Sequence, residues 1–245
     1  MLILGFSQQS GPTGLETRFG NFGTVLFNEA SIATNTGSAN SALTGMSPNA
    51  VIGLFLGMFV QAIPGADGLG MMMMIVFVIL TLFLVGLMVG KTPEFMSMKI
   101  NPRDVKIAAF VFLIHPMIIL IPAVVAYTTD NAQTVVSGVS SPMTFTQVLY
   151  EYTSAAANNG SDYLGTSANT AFWNWSTAWV MILGRYPPIG LMLAIAGSFT
   201  TRDRKEVVEP IKTSGPLFVG VLSVMVFILT VLTFFPFLVM GPFSL

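Results

Sequence analysis

Four apolar runs, 71–90, 107–127, 172–199 and 216–239, set the terms on which this chain can fold. Each approaches or exceeds the ~20 residues with which an α-helix crosses about 30 Å of hydrocarbon. Lipid offers no partner for a bare N–H or C=O, so runs of this length are read as transmembrane helices whose backbone bonds are internal. The fold class expected is all-α and integral to the membrane. Composition agrees: only 9% of residues are charged, against roughly 25% in a soluble domain, too few to clothe a water-facing surface. With no cysteine, disulfide frameworks, thiolate metal sites and cysteine nucleophiles are excluded. A net charge of −1 without a basic tail gives nucleic acid no footing. The opening MLILGFSQQSGPTG has too short an apolar part and no basic start, so no signal peptide is expected there.

A fifth apolar stretch, 50–63, is too short to span alone and is parted from the Met-rich run by PGADGL at 64–69. Two readings fit: one broken helix whose interruption, with Asp67, is buried in protein or lines a wet cavity, or an ordinary loop between two helices. Eight of the ten basic residues fall into two loops, Lys91, Lys99, Arg103 and Lys106 in one and Arg202, Arg204, Lys205 and Lys212 in the other. The positive-inside rule puts both loops in the cytoplasm. The segment 128–171 carries Asp130, Glu151 and Asp162 and no base, so it is expected outside, as is the C-terminus.

The chain also repeats itself. At an offset of 123 residues, Phe22, Val25, Leu26, Phe27, Ser31, Ala33, Asn35, Gly37 and Ser38 fall on Phe145, Val148, Leu149, Tyr150, Ser154, Ala156, Asn158, Gly160 and Ser161, and all but the Phe27–Tyr150 pair are identities. Each copy is a short helical stretch running into N-x-G-S ahead of a longer apolar region. Asn and Gly are common turn residues, but a register of nine positions favours a pair of re-entrant hairpins over a chance loop motif. Such a hairpin points the negative end of a short helix at the membrane centre, and small residues beyond it let backbone carbonyls replace a cation's water.

Single residues add less. Arg185 lies midway along its apolar run, where a charge marks a functional position unless it snorkels or binds a carbonyl for structural reasons. Lys91 closes the Met-rich helix, which the helix dipole alone explains. His115, before Pro116, reads as a hydrogen-bonded core residue, and Met71 to Met74 as adaptable packing. No G-x-x-x-x-G-K-[ST] or D-K-T-G sequence is present, so ATP hydrolysis is not expected of this chain.

Longer stretches carry a family resemblance: ETRFG at 16–20, TNTGSAN at 34–40, GLMVGKTPEFM at 86–96, VLYEYTSAAANNGSDYLGTSANTAFWN at 148–174, ILGRYPPIGLMLAIAGS at 182–198, and GPLFVG at 215–220 with LTFFPFLVMGP at 232–242. In these the chain resembles the potassium-binding A subunit of the Kdp-type potassium-transporting ATPase (the KdpA family), of the potassium-transporter superfamily. The resemblance implies a non-catalytic, channel-like cell-membrane subunit. It takes K+ from outside into a backbone-carbonyl filter and passes it through an intramembrane tunnel to a P-type ATPase partner, with small accessory subunits and no organic cofactor. Thr36 and Gly37 match the filter segment of the third pore repeat, Asn159 and Gly160 that of the fourth. Arg185 matches an arginine of the family, Lys91 stands where arginine is usual, and Gln61 aligns with a glutamate near the tunnel.

The divisions then implied are an outer segment 1–18, the third pore hairpin at 19–45, a broken transmembrane helix at 46–90, a cytoplasmic loop at 91–106, the fourth helix-pore-helix repeat at 107–199, a second cytoplasmic loop at 200–214 and a last transmembrane helix at 215–245. Because the family subunit is about twice this long, the chain resembles its C-terminal half. Two expectations follow: a potassium-binding half that works with a separately encoded N-terminal half, or a truncated, non-conducting remnant serving as a membrane scaffold.

Overall fold

The computed structural model describes residues 19–63, 65, 68–132, 141–202, 213 and 215–240. The expected outer segment 1–18, Asp67, residues 133–140 and 241–245, and the basic loop from 203, with Arg204, Lys205 and Lys212, lie outside the described residues. Within them the chain runs through α1 (Gly20–Ala33), α2 (Pro48–Val60), α3 (Leu69–Val89), the antiparallel pair β1 (Glu94–Phe95) and β2 (Met98–Lys99), α4 (Pro102–Thr128), α5 (Ser141–Ala157), α6 (Ala171–Thr200) and α7 (Pro216–Met240). Helices α3, α4, α6 and α7 are long and apolar enough to cross a membrane. The protein is therefore helical and multi-pass.

Helix ends follow local chemistry more closely than hydropathy does. α4 starts at Pro102, ahead of the apolar run at 107, because Asn101 and Asp104 form a reciprocal capping box and Pro102 suits the first turn. The Asn101 N–H donates to Asp104 Oδ2 at 2.9 Å. α3 stops at Val89: Gly90 turns left-handed, at φ +71°, and the Gly90 and Lys91 N–H groups donate to the Gly86 carbonyl. Lys91 thus lies just beyond the helix and helps to close it.

Prolines 116 and 122 inside α4, and 187 and 188 inside α6, are of the kind membrane helices tolerate when packing re-satisfies the freed carbonyls. Two cores hold the bundle. One surrounds α5, where Tyr150, Tyr152 and Trp173 are buried with Phe55, Phe59 and Phe234; the Phe59 and Phe234 rings stack at 3.8 Å. The other joins Val76, Ile79 and Leu82 of α3 to Ala108 and Val111 of α4 and Ile195 and Phe199 of α6. At that second end Arg202 forks onto Asp104, at 2.6 and 2.9 Å. It also donates to the Lys99 carbonyl at 3.0 Å and to Ser198 Oγ, and lies over the Phe199 ring. This staple brings the loop at 91–106 and the start of the loop at 200–214 to one end of the bundle.

Candidate functional site

The sequence repeat is also a repeat of backbone. After α1, Asn35 is left-handed at φ +57° and Gly37 at φ +74°; after α5, Asn158 is left-handed at φ +55° and Gly160 at φ +74°. The hydrogen bonds match position for position: Asn35 N–H to the Ile32 carbonyl and Thr36 N–H to Ser31 in one, Asn158 N–H to Ala155 and Asn159 N–H to Ser154 in the other. Left-handed backbone costs a side chain with Cβ roughly 1–2 kcal/mol, which is why Gly, and next Asn, occupy these positions. The correspondence continues past the aligned residues. A single 3-10 turn, Leu43–Gly45 or Gly165–Ala168, ends each return. Ser47 then caps α2 by accepting the Ala50 N–H, and Thr170, the same offset away, caps α6 by accepting that of Trp173.

The two hairpins meet at their tips. A Cβ built at Gly37 would lie 1.7 Å from the Asn159 carbonyl oxygen and 3.0 Å from the Ser161 nitrogen, so only glycine permits this approach. The equivalent face of Gly160 is open: among the described residues nothing lies within 4 Å of a Cβ built there. The contact is therefore head to tail, one hairpin's glycine against the next hairpin's backbone, and a head-to-tail contact leaves a free surface at the end of the row.

Side chains behind the tips hold the backbone in place. Asn159 is buried, and its Oδ1 accepts from Ser154 Oγ at 2.6 Å, Ser161 N–H at 2.8 Å and Ser161 Oγ at 2.8 Å. The Tyr150 and Ser161 hydroxyls are 2.9 Å apart. Asn158 Nδ2 donates to the Met181 carbonyl at 3.1 Å, and Gly184 lets α6 close to the end of α5, since a Cβ there would come within 2.4 Å of the Ala156 carbonyl oxygen. Half-buried Arg185 follows directly in sequence. On the other side, Gly65, in the interruption between α2 and α3, presses on the Thr34 carbonyl at the end of α1. Gln61, left-handed at φ +47°, ends α2, and its buried amide meets the buried His115 imidazole at Nε2.

The family described as potassium-transporting ATPase A subunit (KdpA) matches residues 4–244. The chain belongs to this family. Potassium-transporting ATPase potassium-binding subunits from Clostridium acetobutylicum and Geobacillus kaustophilus are each 40% identical to it, over 98% and 96% of this chain. A third, from Gloeobacter violaceus, is 40% identical over 94%. The chain spans about two fifths of the length of these curated relatives, 43%, 42% and 40% respectively.

Within this KdpA-type chain, Thr36, Gly37, Asn159 and Gly160 lie together at the hairpin tips, with Arg185 one residue from the α5–α6 contact. Gln61 lies at the α2–α3 interruption that Gly65 ties to the first hairpin. Lys91 is elsewhere: α3 has 21 residues, which at 1.5 Å each puts its ends about 30 Å apart. Sequence reasoning did not single out Ser154, Ser161 or Tyr150 as supports for Asn159. Their signal was present, since Ser154 and Ser161 recur as Ser31 and Ser38.

Proposed function

We propose that this chain binds K+ as a non-catalytic, channel-like part of an ATP-driven potassium-uptake assembly in the cell membrane. The hairpin after α1 serves as the third filter repeat and the hairpin after α5 as the fourth, with Thr36, Gly37, Asn159 and Gly160 supplying backbone carbonyls to the ion. The observation that carries this reading is the matched left-handed pair, Asn35 with Gly37 and Asn158 with Gly160, in hairpins that touch at Gly37 and Asn159. A filter that selects by backbone needs such repeated, side-chain-braced geometry. The open face of Gly160 supports a larger ring in which further hairpins, on an N-terminal half of the subunit, complete the coordination.

Membership in the family supports the rest of the proposal. K+ enters from outside and leaves through an intramembrane tunnel toward a P-type ATPase subunit, which hydrolyses ATP, with small accessory subunits alongside. The basic loops face the cytoplasm and the C-terminus faces outside. Arg185 and Gln61 act as electrostatic and polar elements of the path beneath the filter, and Lys91 acts at the cytoplasmic end of α3. The test is discrimination in the assembled complex. Gly37→Asp or Gly160→Asp should reduce the preference for K+ over Rb+ and Na+ in uptake: a Cβ at Gly37 would strike the Asn159 carbonyl, and at both positions left-handed backbone disfavours a side chain and a carboxylate adds charge beside the ion. Unchanged discrimination in both variants would overturn the filter assignment.

A further inference from the structure

The two hairpins share a backbone but not a brace. In the second, Asn159 is buried and its side chain gathers Ser154 and Ser161. In the first, Thr36 stands at the position of Asn159, and Ser31 and Ser38 at those of the two serines. Thr36 and Ser38 are exposed, and the buried Ser31 Oγ has no hydrogen-bond partner among the described residues. The Thr36 hydroxyl lies instead 3.2 Å from that of Thr34. Left-handed backbone at Asn35, without an internal brace around it, persists only if something outside the hairpin fixes the conformation.

The outside contact is made by Gly65. It lies in the interruption between α2 and α3, and a Cβ built on it would strike the Thr34 carbonyl. The interruption is itself gripped at both ends. At the α3 end Gly70 presses on the Ile63 carbonyl, which a Cβ there would also strike. At the α2 end Gln61 is left-handed, at φ +47°, a conformation that a residue with a Cβ keeps only when its surroundings impose it. His115 supplies the constraint: the Gln61 amide N–H donates to His115 Nε2, and both side chains are buried. A buried polar group that loses its partner is costly, so the pair resists separation. His115 belongs to α4, which packs against α3, α5 and α6 alike. The hydrogen bond therefore ties the interruption to the middle of the bundle.

We propose that His115 is a positioning residue for K+ binding: through Gln61 it fixes the α2–α3 interruption as a strut, and Gly65 of that strut holds the first hairpin at Thr34, beside Thr36. His115 acts through these contacts and does not touch the ion. The second hairpin, braced by its own Asn159, does not depend on the strut. The inference rests on reading the hairpins as a potassium filter.

The experiment compares the unaltered assembled complex with His115→Phe, which keeps a ring but no nitrogen, and His115→Gln, which keeps a hydrogen-bonding group of similar reach. K+ activation of ATP hydrolysis is measured together with backbone hydrogen exchange followed by mass spectrometry. In His115→Phe the Thr36 and Gly37 N–H groups, which donate to the Ser31 carbonyl at 2.8 and 3.2 Å, should exchange about tenfold faster, the size of one hydrogen bond. Exchange at Asn158 and Asn159 should be unchanged. The half-saturating K+ concentration should rise by the same factor, with the maximal rate preserved, and His115→Gln should restore both readouts. Gly65→Ala, which acts at the far end of the strut, should also speed exchange at Thr36 and Gly37. Unaltered exchange there in His115→Phe or in Gly65→Ala, or His115→Gln exchanging as fast as His115→Phe, would overturn the strut. A lower maximal rate with an unchanged half-saturating K+ concentration would mark a merely structural residue and overturn the positioning role. Unchanged selectivity in the Gly37 and Gly160 variants would instead overturn the filter reading, and hydrogen exchange would still decide whether His115 holds the first hairpin.

Discussion

On the proposed filter reading, Asn159 acts on the ion path without its side chain touching the ion. Its carboxamide oxygen gathers three donors, from Ser154 and Ser161, so the side chain points into its own hairpin and the backbone is left for other work. Asn159→Ala would strand those donors in a buried place, where an unsatisfied polar group costs about 1–3 kcal/mol. The expected result is a drop of about 2 kcal/mol in stability, read by thermal or denaturant unfolding in detergent, with weaker K+ discrimination in the assembled complex. Stability equal to that of the unaltered chain would mean that the serines find other partners.

At the scale of elements, the Asp104–Arg202 staple joins helices that are far apart in sequence. Asp104 is fully buried while Arg202 keeps 17% of its side-chain surface exposed. Asp104 also caps α4 and accepts from Ser198 at 2.8 Å. Arg202→Ala leaves that carboxylate buried without its counter-charge, which costs about 3 kcal/mol. The double variant Asp104→Ala with Arg202→Ala should unfold at a higher temperature than Arg202→Ala alone, because no uncompensated charge remains. A double variant less stable than the single one would show that capping of α4 outweighs the ion pair. Glycine does comparable work between elements without charge: Gly184 sets how closely α6 approaches the carbonyl end of α5, and Gly65 how closely the α2–α3 interruption approaches α1.

For the whole molecule, the staple draws the loop at 91–106 and the start of the loop at 200–214 to one end of the bundle, so a single sidedness applies to both. Because the chain has no cysteine, single cysteines can be introduced as reporters. Cysteines placed at 98–101 and at 202 should react with a membrane-impermeant reagent only from the cytoplasmic side, and cysteines at 130–132 only from outside. Labelling of position 202 from outside would reverse the proposed orientation.

The spanning helices were legible from hydropathy because lipid imposes one simple demand, a long apolar run whose backbone is satisfied internally. Family membership was legible because long ordered motifs such as ILGRYPPIGLMLAIAGS at 182–198 persist in this chain. The repeat was visible because its conformationally demanding positions are occupied by Asn and Gly, whose small or locally bonding side chains are selected by backbone alone. What only tertiary structure decided was which groups meet. Gln61 with His115, Asp104 with Arg202, and Gly37 with the Asn159 carbonyl are pairings whose partners lie from 54 to more than a hundred positions apart. No local periodicity encodes them. They arise when short helices are enclosed by long ones and their buried polar groups must find partners inside the protein, since the surrounding lipid offers none.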